Sequence, residues 1–477
     1  MKSQRYRFRI AALLLVGLFI LLAVFGIWNV LHYGTRWFTS NHNTRIGTQK
    51  SSVIEGSILD RNETVLAETV EGKRVFQKDP EDRRAVVHVI GDRDGNVANS
   101  VESFQTEQLY GFRTSLPDRI SYALSGETPH GNDVILTVDA GLNRRIAEAF
   151  DRHCPGLSGA GVIVNWSTGE ILGEVSLPSF DPDEVLPADS SLLQAQPYWN
   201  RVLQGLYPPG STFKIVTAAA ALKEIPDIES WTWVCDGAYP VDGQYTVHDF
   251  QQGQHGKVSL GEAFRYSCNT AFAELANQLG DRKLRETAEA FGFNKNFLFS
   301  DLVVYNSKYP TENRTPYEIS ASGFGQSRIL ASPMHMCLIS AAVAAGGRMP
   351  EPVLIREIRS PAGRTVSTFK PKTAMTVCTE KIAGTVSGYM KQVVQGGGSG
   401  SRANVKGMDI RGKTGTAESE QNGLPISYGW FTGFSADPGK PYALCILVEG
   451  IGDGETGGTT ACVIAADLFR ALNETAE

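Results

Sequence analysis

Hydrophobic positions change period several times along this chain, and each change marks a predicted element. The first stretch has no period at all. Ile10 to Trp28 is nineteen residues without a charge. At about 1.5 Å per residue, a helix of that length reaches roughly 28 Å, close to the ~30 Å hydrocarbon core of a bilayer. Lys2, Arg5, Arg7 and Arg9 precede it with no acid among them. The positive-inside rule keeps such an N-terminus cytoplasmic and places the remaining chain outside. A cleaved signal peptide has a shorter apolar core and a small-residue cleavage site, and Leu31 to Trp37 contains no such site. The pattern predicts a cytoplasmic tail over 1–9 and one uncleaved anchor over 10–30.

Shorter periods follow. Residues 51–130 hold brief apolar runs (Val53-Ile54, Ser57-Ile58-Leu59, Val86 to Ile90) between Gly, Asp and Asn turns. They predict a small strand-rich unit, with 91–130 read as loop. Asp133 to Val138 reads as a strand, and Leu142 to Cys154 as a helix stopped by Pro155. Gly161 to Val164 and Glu170 to Val175 flank the turn signal Ser167-Thr168-Gly169, which predicts a hairpin. Several helices are expected between 211 and 346. A glycine-rich break, Gly396 to Ser401, precedes strands over 409–418, 428–435 and 442–449 and a helix over 460–473. Val463, Ile464, Leu468 and Leu472 share one face of that helix. The expected fold is α/β (α+β), a sheet covered by helices over 157–477, behind a linker and strand-rich unit over 31–156.

Composition narrows the function classes. Hydrophobic residues at 42% and charged residues at 20% exclude a disordered chain. A net charge of −6 argues against a nucleic-acid partner. The seven Cys are odd in number and lack CxxC pairing, and the eight His form no HExxH. Neither a disulfide scaffold nor a metal site is predicted, and no cofactor.

Three short stretches carry chemistry. In Tyr207-Pro208-Pro209-Gly210-Ser211-Thr212-Phe213-Lys214, the prolines and glycine end whatever precedes, and Ser211 is placed to cap a helix from Ile215 to Leu222. On a helix, Lys214 lies one turn above Ser211, and backbone N–H dipoles point at the hydroxyl. The same four-letter pattern recurs as Ser367-Thr368-Phe369-Lys370, after a Pro-Ala-Gly turn and before Pro371. There the pattern predicts a hairpin strand, on which residues i and i+3 face opposite sides. The second copy is therefore read as structural. Ser267-Cys268-Asn269 falls between a helix opened by the Ser259–Glu262 capping box and another from about Thr270 to Gly280. Such a joint can aim a hydroxyl and an amide into a cleft, although an ordinary helix cap has the same letters. Finally, Arg411-Gly412-Lys413-Thr414-Gly415-Thr416 reads as a glycine-weakened edge strand that a substrate backbone could approach closely. It lacks the GxxxxGK[ST] spacing of a phosphate loop.

Taken in order, SxxK, SxN and KTG resemble the penicillin-recognising serine acyltransferases. Within that group the chain resembles the class B penicillin-binding proteins, monofunctional peptidoglycan D,D-transpeptidases. Glu55 to Asn62, Thr168 to Leu172, Pro178 to Pro182, Asn200-Arg201, Gly323 to Gln326 and Trp430 to Gly433 extend the likeness over most of the chain. Two departures stand out. Gln326 is followed by Ser rather than Gly, and no cysteine follows Cys235 closely, so Cys235 is expected unpaired.

A serine hydroxyl needs a base, and a lysine must drop roughly 2–3 pKa units to serve near pH 7. Neutral Lys214 is the expected base, depressed by the second cation Lys413. The resemblance implies the other roles. The N–H groups of Ser211 and Thr416 hold the oxyanion, Ser267 relays a proton to the leaving D-Ala, and Asn269 binds the peptide amide. Lys413, Thr414 and Thr416 hold the terminal carboxylate, and Gly415 admits the substrate. The resemblance also implies peptidoglycan stem peptides and β-lactams as ligands, and a SEDS-family glycan polymerase as partner. A class D-like β-lactamase or β-lactam sensor, a D,D-carboxypeptidase and a scaffold protein are the alternatives.

Overall fold

A computed structural model describes residues 13–26, 53–112, 116–312, 314–421 and 423–474. Its centre is the run Ala443-Leu444-Cys445-Ile446-Leu447-Val448, which is apolar at every position. A strand that is apolar on both faces must be covered on both. Tyr442–Glu449 is indeed the middle strand of a five-stranded sheet. The order is Ile410–Gln421, Leu424–Ser435, Tyr442–Glu449, Gly159–Asn165, Ile171–Leu177, antiparallel throughout.

The two-residue alternation of the strand sorts its side chains into two cores. Leu444, Ile446 and Val448 join Ile146, Phe150, Ala465 and Leu468, from the helices Ala140–His153 and Ala461–Glu474. Ala443, Cys445 and Leu447 join Met334, Leu338 and Ala341 on the opposite face. Those three belong to Pro333–Ala344, a helix buried at all but its last residue and started by the Ser332 cap and Pro333. Its only polar side chains, His335 and Ser340, are bonded internally to Phe291 O and Thr432 Oγ1, so it is an inner helix.

A second, six-stranded sheet lies N-terminal to this core in sequence but not wholly so. Its order is Thr365–Thr368, Ile355–Arg359, Asp133–Leu136, Ile58–Leu59, Val65–Val70, Lys73–Phe76. Strands from both sides of residue 157 build it, and Ile58–Leu59 runs parallel to Asp133–Leu136. The hairpin holding Ser367 is its outer edge, and all four residues Thr365–Thr368 are exposed.

Two sequence expectations need correction here. Val86 to Ile90 is not a strand but the end of the helix Pro80–Ile90. The Asp79 side chain accepts from the Glu81 N–H, Pro80 is at the first position, and Glu81 and Asp82 favour the positive end of the dipole. The valines are buried from two directions: Val86 and Val89 pack in the main core, Val87 against Val97 and Phe180. The stretch 91–130, read as loop, contains the helices Val101–Phe104, Thr106–Leu109 and Leu116–Ser125.

Of the anchor expected over 10–30, residues 13–26 are described. They are helical, with Leu14, Phe19, Leu21 and Phe25 each more than 60% exposed. The remainder lies outside the described residues. No helix among the described residues is long and apolar enough to cross a membrane.

Candidate active site

Ser211 sits on a 3₁₀ turn, Gly210–Phe213, and the α-helix begins only at Lys214. The expectation that Ser211 caps this helix is therefore corrected: Phe213 is at the cap and makes no side-chain bond. The tight turn follows from Pro208 and Pro209, which offer no N–H, and from Gly210 at φ +52°. Pro208 O is held from the sheet by Trp430 Nε1 at 3.0 Å, and Pro209 O from within the turn by Thr212 Oγ1 at 2.7 Å.

Glycines let this turn press against the 413–416 strand. A Cβ on Gly210 would meet Thr416 O at 2.5 Å, and one on Gly415 would meet Pro209 O at 2.8 Å. A Cβ on Gly325 would lie 2.0 Å from Gly210 O. Each is a close backbone approach that only glycine permits.

The helix Leu260–Tyr266, started by the Ser259–Glu262 capping box, ends on Ser267 at φ 62°, ψ 36°. A non-glycine residue in that left-handed region carries strain, which such joints at functional sites tolerate. The next helix, Asn269–Ala290, is capped by Cys268 and broken at Gly280. The joint expected at Ser267-Cys268-Asn269 is thus where the structure has one.

Both lysines are fully buried. Lys214 Nζ donates to Ser267 O at 2.5 Å, Ser267 Oγ at 3.2 Å and Asn269 Oδ1 at 2.9 Å. Lys413 Nζ donates to the same Ser267 Oγ at 2.9 Å and to Thr414 O at 3.0 Å. Ser267 is thereby the shared partner of two amines. No hydrogen bond joins Lys214 to Ser211 among the described residues, so the amine is turned toward the joint. Catalytic contacts are often this loose before substrate arrives.

Burial pushes Lys214 down to about 8, against Asp249, which pulls it up. Burial, and then the Lys214 charge, hold Lys413 well below the usual lysine range. This corrects the expected cause. Desolvation, not the second cation, is what lowers Lys214, and the charge effect falls on Lys413.

A cleft of about 880 Å³ is lined by Ser211, Ser267, Asn269, Thr414, Gly415 and Thr416. Lys214 and Lys413 lie beneath it as donors to Ser267. The cleft also exposes Ser399 and Tyr317, which sequence reasoning did not single out, and Gln326, which it named only within the family likeness. Ser399 Oγ lies 2.9 Å from Thr414 Oγ1, and the Gly457 N–H donates to Thr416 Oγ1 at 3.2 Å. The glycine-rich break at 396–401 was the available signal for Ser399. Ser367 and Lys370 line a different depression, beside Asp301 and Arg356.

One cluster was unexpected. Cys235, Asp249, His255 and Cys268 bring one ligand atom each within 4.8 Å of one another. Asp249 Oδ2 accepts from Cys235 at 2.9 Å and from Cys268 at 3.2 Å, and its Oδ1 accepts from the Asn269 N–H. Cys235 is a free thiol. Two thiols, an imidazole and a carboxylate are donors that suit a tetrahedral zinc ion. The cysteine spacing argued against a metal site because the four come from a strand, a loop and a helix joint rather than one finger-like segment.

The family described as penicillin binding protein transpeptidase domain matches residues 159–470. The chain belongs to that family. Among class B penicillin-binding proteins, it is 31% identical over 380 residues to peptidoglycan D,D-transpeptidase PbpA of Mycolicibacterium smegmatis, covering 75% of this chain and 76% of the relative. It is 30% identical to stage V sporulation protein D of Bacillus subtilis, over 71% of this chain and 53% of that protein. The ceftriaxone acyl-enzyme complex of penicillin-binding protein A from M. tuberculosis superposes with a TM-score of 0.78 at 27% identity, covering 89% of this chain and 99% of that one.

Proposed function

We propose that this class B penicillin-binding protein is a serine-type peptidoglycan D,D-transpeptidase that works through a Ser211 acyl-enzyme. The observation that carries the assignment is the chain Lys214–Ser267–Lys413, buried beneath the cleft that Ser211 lines. Neutral Lys214 takes the Ser211 proton as Oγ attacks the carbonyl between two terminal D-Ala residues. The Ser211 and Thr416 N–H groups receive the oxyanion. Ser267 passes its proton to the departing D-Ala nitrogen and is reprotonated by Lys214, which is neutral again as the tetrahedral intermediate collapses to the ester. Asn269 holds the donor amide. Thr414 and Thr416 hold the terminal carboxylate, Lys413 acts from beneath the cleft through Ser267, and Gly415 leaves room for the peptide to lie along the strand. The amine of a second stem peptide then attacks the ester, its proton passes through Lys214 to the Ser211 oxygen as the ester bond breaks, and the hydroxyl is regenerated. β-Lactams acylate the same hydroxyl.

The wider arrangement belongs to the same reading. An anchor over 10–30 with a cytoplasmic N-terminus carries a pedestal over 31–156 and a transpeptidase domain over 157–477 outside the membrane, with a SEDS-family glycan polymerase as partner. The apolar run Ile10 to Trp28 behind four basic residues supports the anchor. The deciding experiment incubates the full-length chain in detergent with a fluorescent penicillin and maps the labelled peptide. Label on the peptide containing Ser211 is expected; stoichiometric label surviving Ser211→Ala refutes the assignment.

A further inference from the structure

The turn that presents Ser211 has little backbone of its own to anchor it. Pro208 and Pro209 supply acceptors only, taken up by Trp430 and Thr212, and the residue before them is the next anchor of the turn. That residue is Tyr207. Its backbone pairs with Ala331 in both directions, at 3.0 and 2.8 Å. Its ring packs against Tyr428 and Trp430, with centroids 5.4 and 6.3 Å away. Its hydroxyl donates to Glu449 Oε1 at 2.7 Å.

Glu449 is itself tied down. The same Oε1 accepts from Arg201 Nε at 2.8 Å, and the side chains of Arg201 and Glu449 are 5% and 11% exposed. Arg201 uses its other nitrogens on Ala195 O and Gln196 O. Gly205 makes room for the aromatic ring: a Cβ there would lie 2.4 Å from Tyr207 Cε2 and 2.6 Å from Oη.

The placement gives this network a consequence for the reaction. Glu449 is opposite Tyr428 in the sheet, and one strand further Gly415 is opposite Trp430 and Thr416 opposite Gly429. The strand Leu424–Ser435 thus carries Tyr207 on its Tyr428 and Trp430 rings and pairs along one edge with the 413–416 strand. We propose that Arg201, Glu449 and Tyr207 are positioning residues that set the distance between the Ser211 hydroxyl and the Thr416 N–H. This rests on the acyl-enzyme reading above. None of the three touches substrate; they act through the Pro208-Pro209 turn. A small misplacement of a nucleophile relative to its oxyanion donors costs rate without abolishing binding.

The test uses the full-length chain in detergent. Tyr207→Phe keeps the ring packing and removes one hydroxyl. Time courses of fluorescent-penicillin labelling give the acylation rate constant and the endpoint, and the thermal midpoint is read on the same samples. The rate constant is expected to fall about tenfold while the endpoint stays at one label per chain. Glu449→Gln keeps an acceptor for the hydroxyl and should retain more rate than Glu449→Ala. A Tyr207→Phe rate within about twofold of the parent overturns the proposal. So does a loss of label that only follows a loss of folded protein. Failure of the parent chain to label at Ser211 is a different result: it defeats the acyl-enzyme reading, and this inference with it.

Discussion

The chain has the tetrapeptide pattern Ser-Thr-Phe-Lys twice, and the two copies have opposite fates. Ser211 to Lys214 crosses from a 3₁₀ turn into a helix, and Lys214 is fully buried among Ser267, Asn269 and the face of Phe272. Ser367 to Lys370 starts on the edge of the six-stranded sheet, with Ser367 opposite Ile358 and both neighbours exposed. Identical letters at identical spacing therefore differ in the property that makes a lysine a base. Burial strips water from the Lys214 ammonium and disfavours its charge, whereas Lys370 is exposed. The 3₁₀ turn also brings i and i+3 over one another, whereas the second copy leaves its strand at Thr368, before Lys370 is reached.

The largest effect that would break this comparison is loss of labelling. Ser211→Ala is expected to abolish covalent penicillin labelling, and Ser367→Ala to leave it at the parent level, both read by gel fluorescence. Next comes the base. Lys214→Ala should slow acylation by about 10²–10⁴-fold, while Lys370→Ala leaves the rate constant unchanged. Gly415→Ala puts a Cβ 2.8 Å from Pro209 O and pushes the strand from the turn; acylation should slow by roughly 10–100-fold at an unchanged endpoint. The pH profile gives a finer measure. Lys214, lowered by burial to about 8, is protonated and inactive below that pH and neutral above it. The acylation rate should climb about tenfold per pH unit below 8 and level off above; a profile flat from pH 6 to 9 would show that this amine is not the base. Smallest is stability: Ser367→Ala should stay within about 0.5 kcal/mol of the parent in denaturant unfolding.

Much of the main sheet was readable in advance because its strands advertise themselves. The strand over 442–449 is where the apolar run predicts it; Gly159–Asn165 extends the predicted 161–164 at both ends, and Ile171–Leu177 starts one residue after the predicted Glu170 and ends two beyond Val175. The N-terminal unit was less legible. Val86 to Ile90 has the composition of a strand, and the helix signal lies upstream in Asp79-Pro80-Glu81-Asp82, where the cap and first turn are. At the site, the motif residues were visible by spacing, but their supports were not. Ser399 reaches Thr414 from a glycine loop, and Asp249 reaches Cys235, Cys268 and Asn269 from a turn with no pattern of its own.

What the chain's letters determined on their own are the local choices. Where helices start, which strands are apolar on both faces, and which three short segments carry a hydroxyl, an amide and two amines all follow from propensities and periods within a few residues. What only the tertiary structure decided is the environment of those groups. Ser267 became the common partner of Lys214 and Lys413, and both amines lost their water, because segments far apart in the chain close over one another. Desolvation and proximity are properties of the packed whole, so a pattern of four residues cannot announce them.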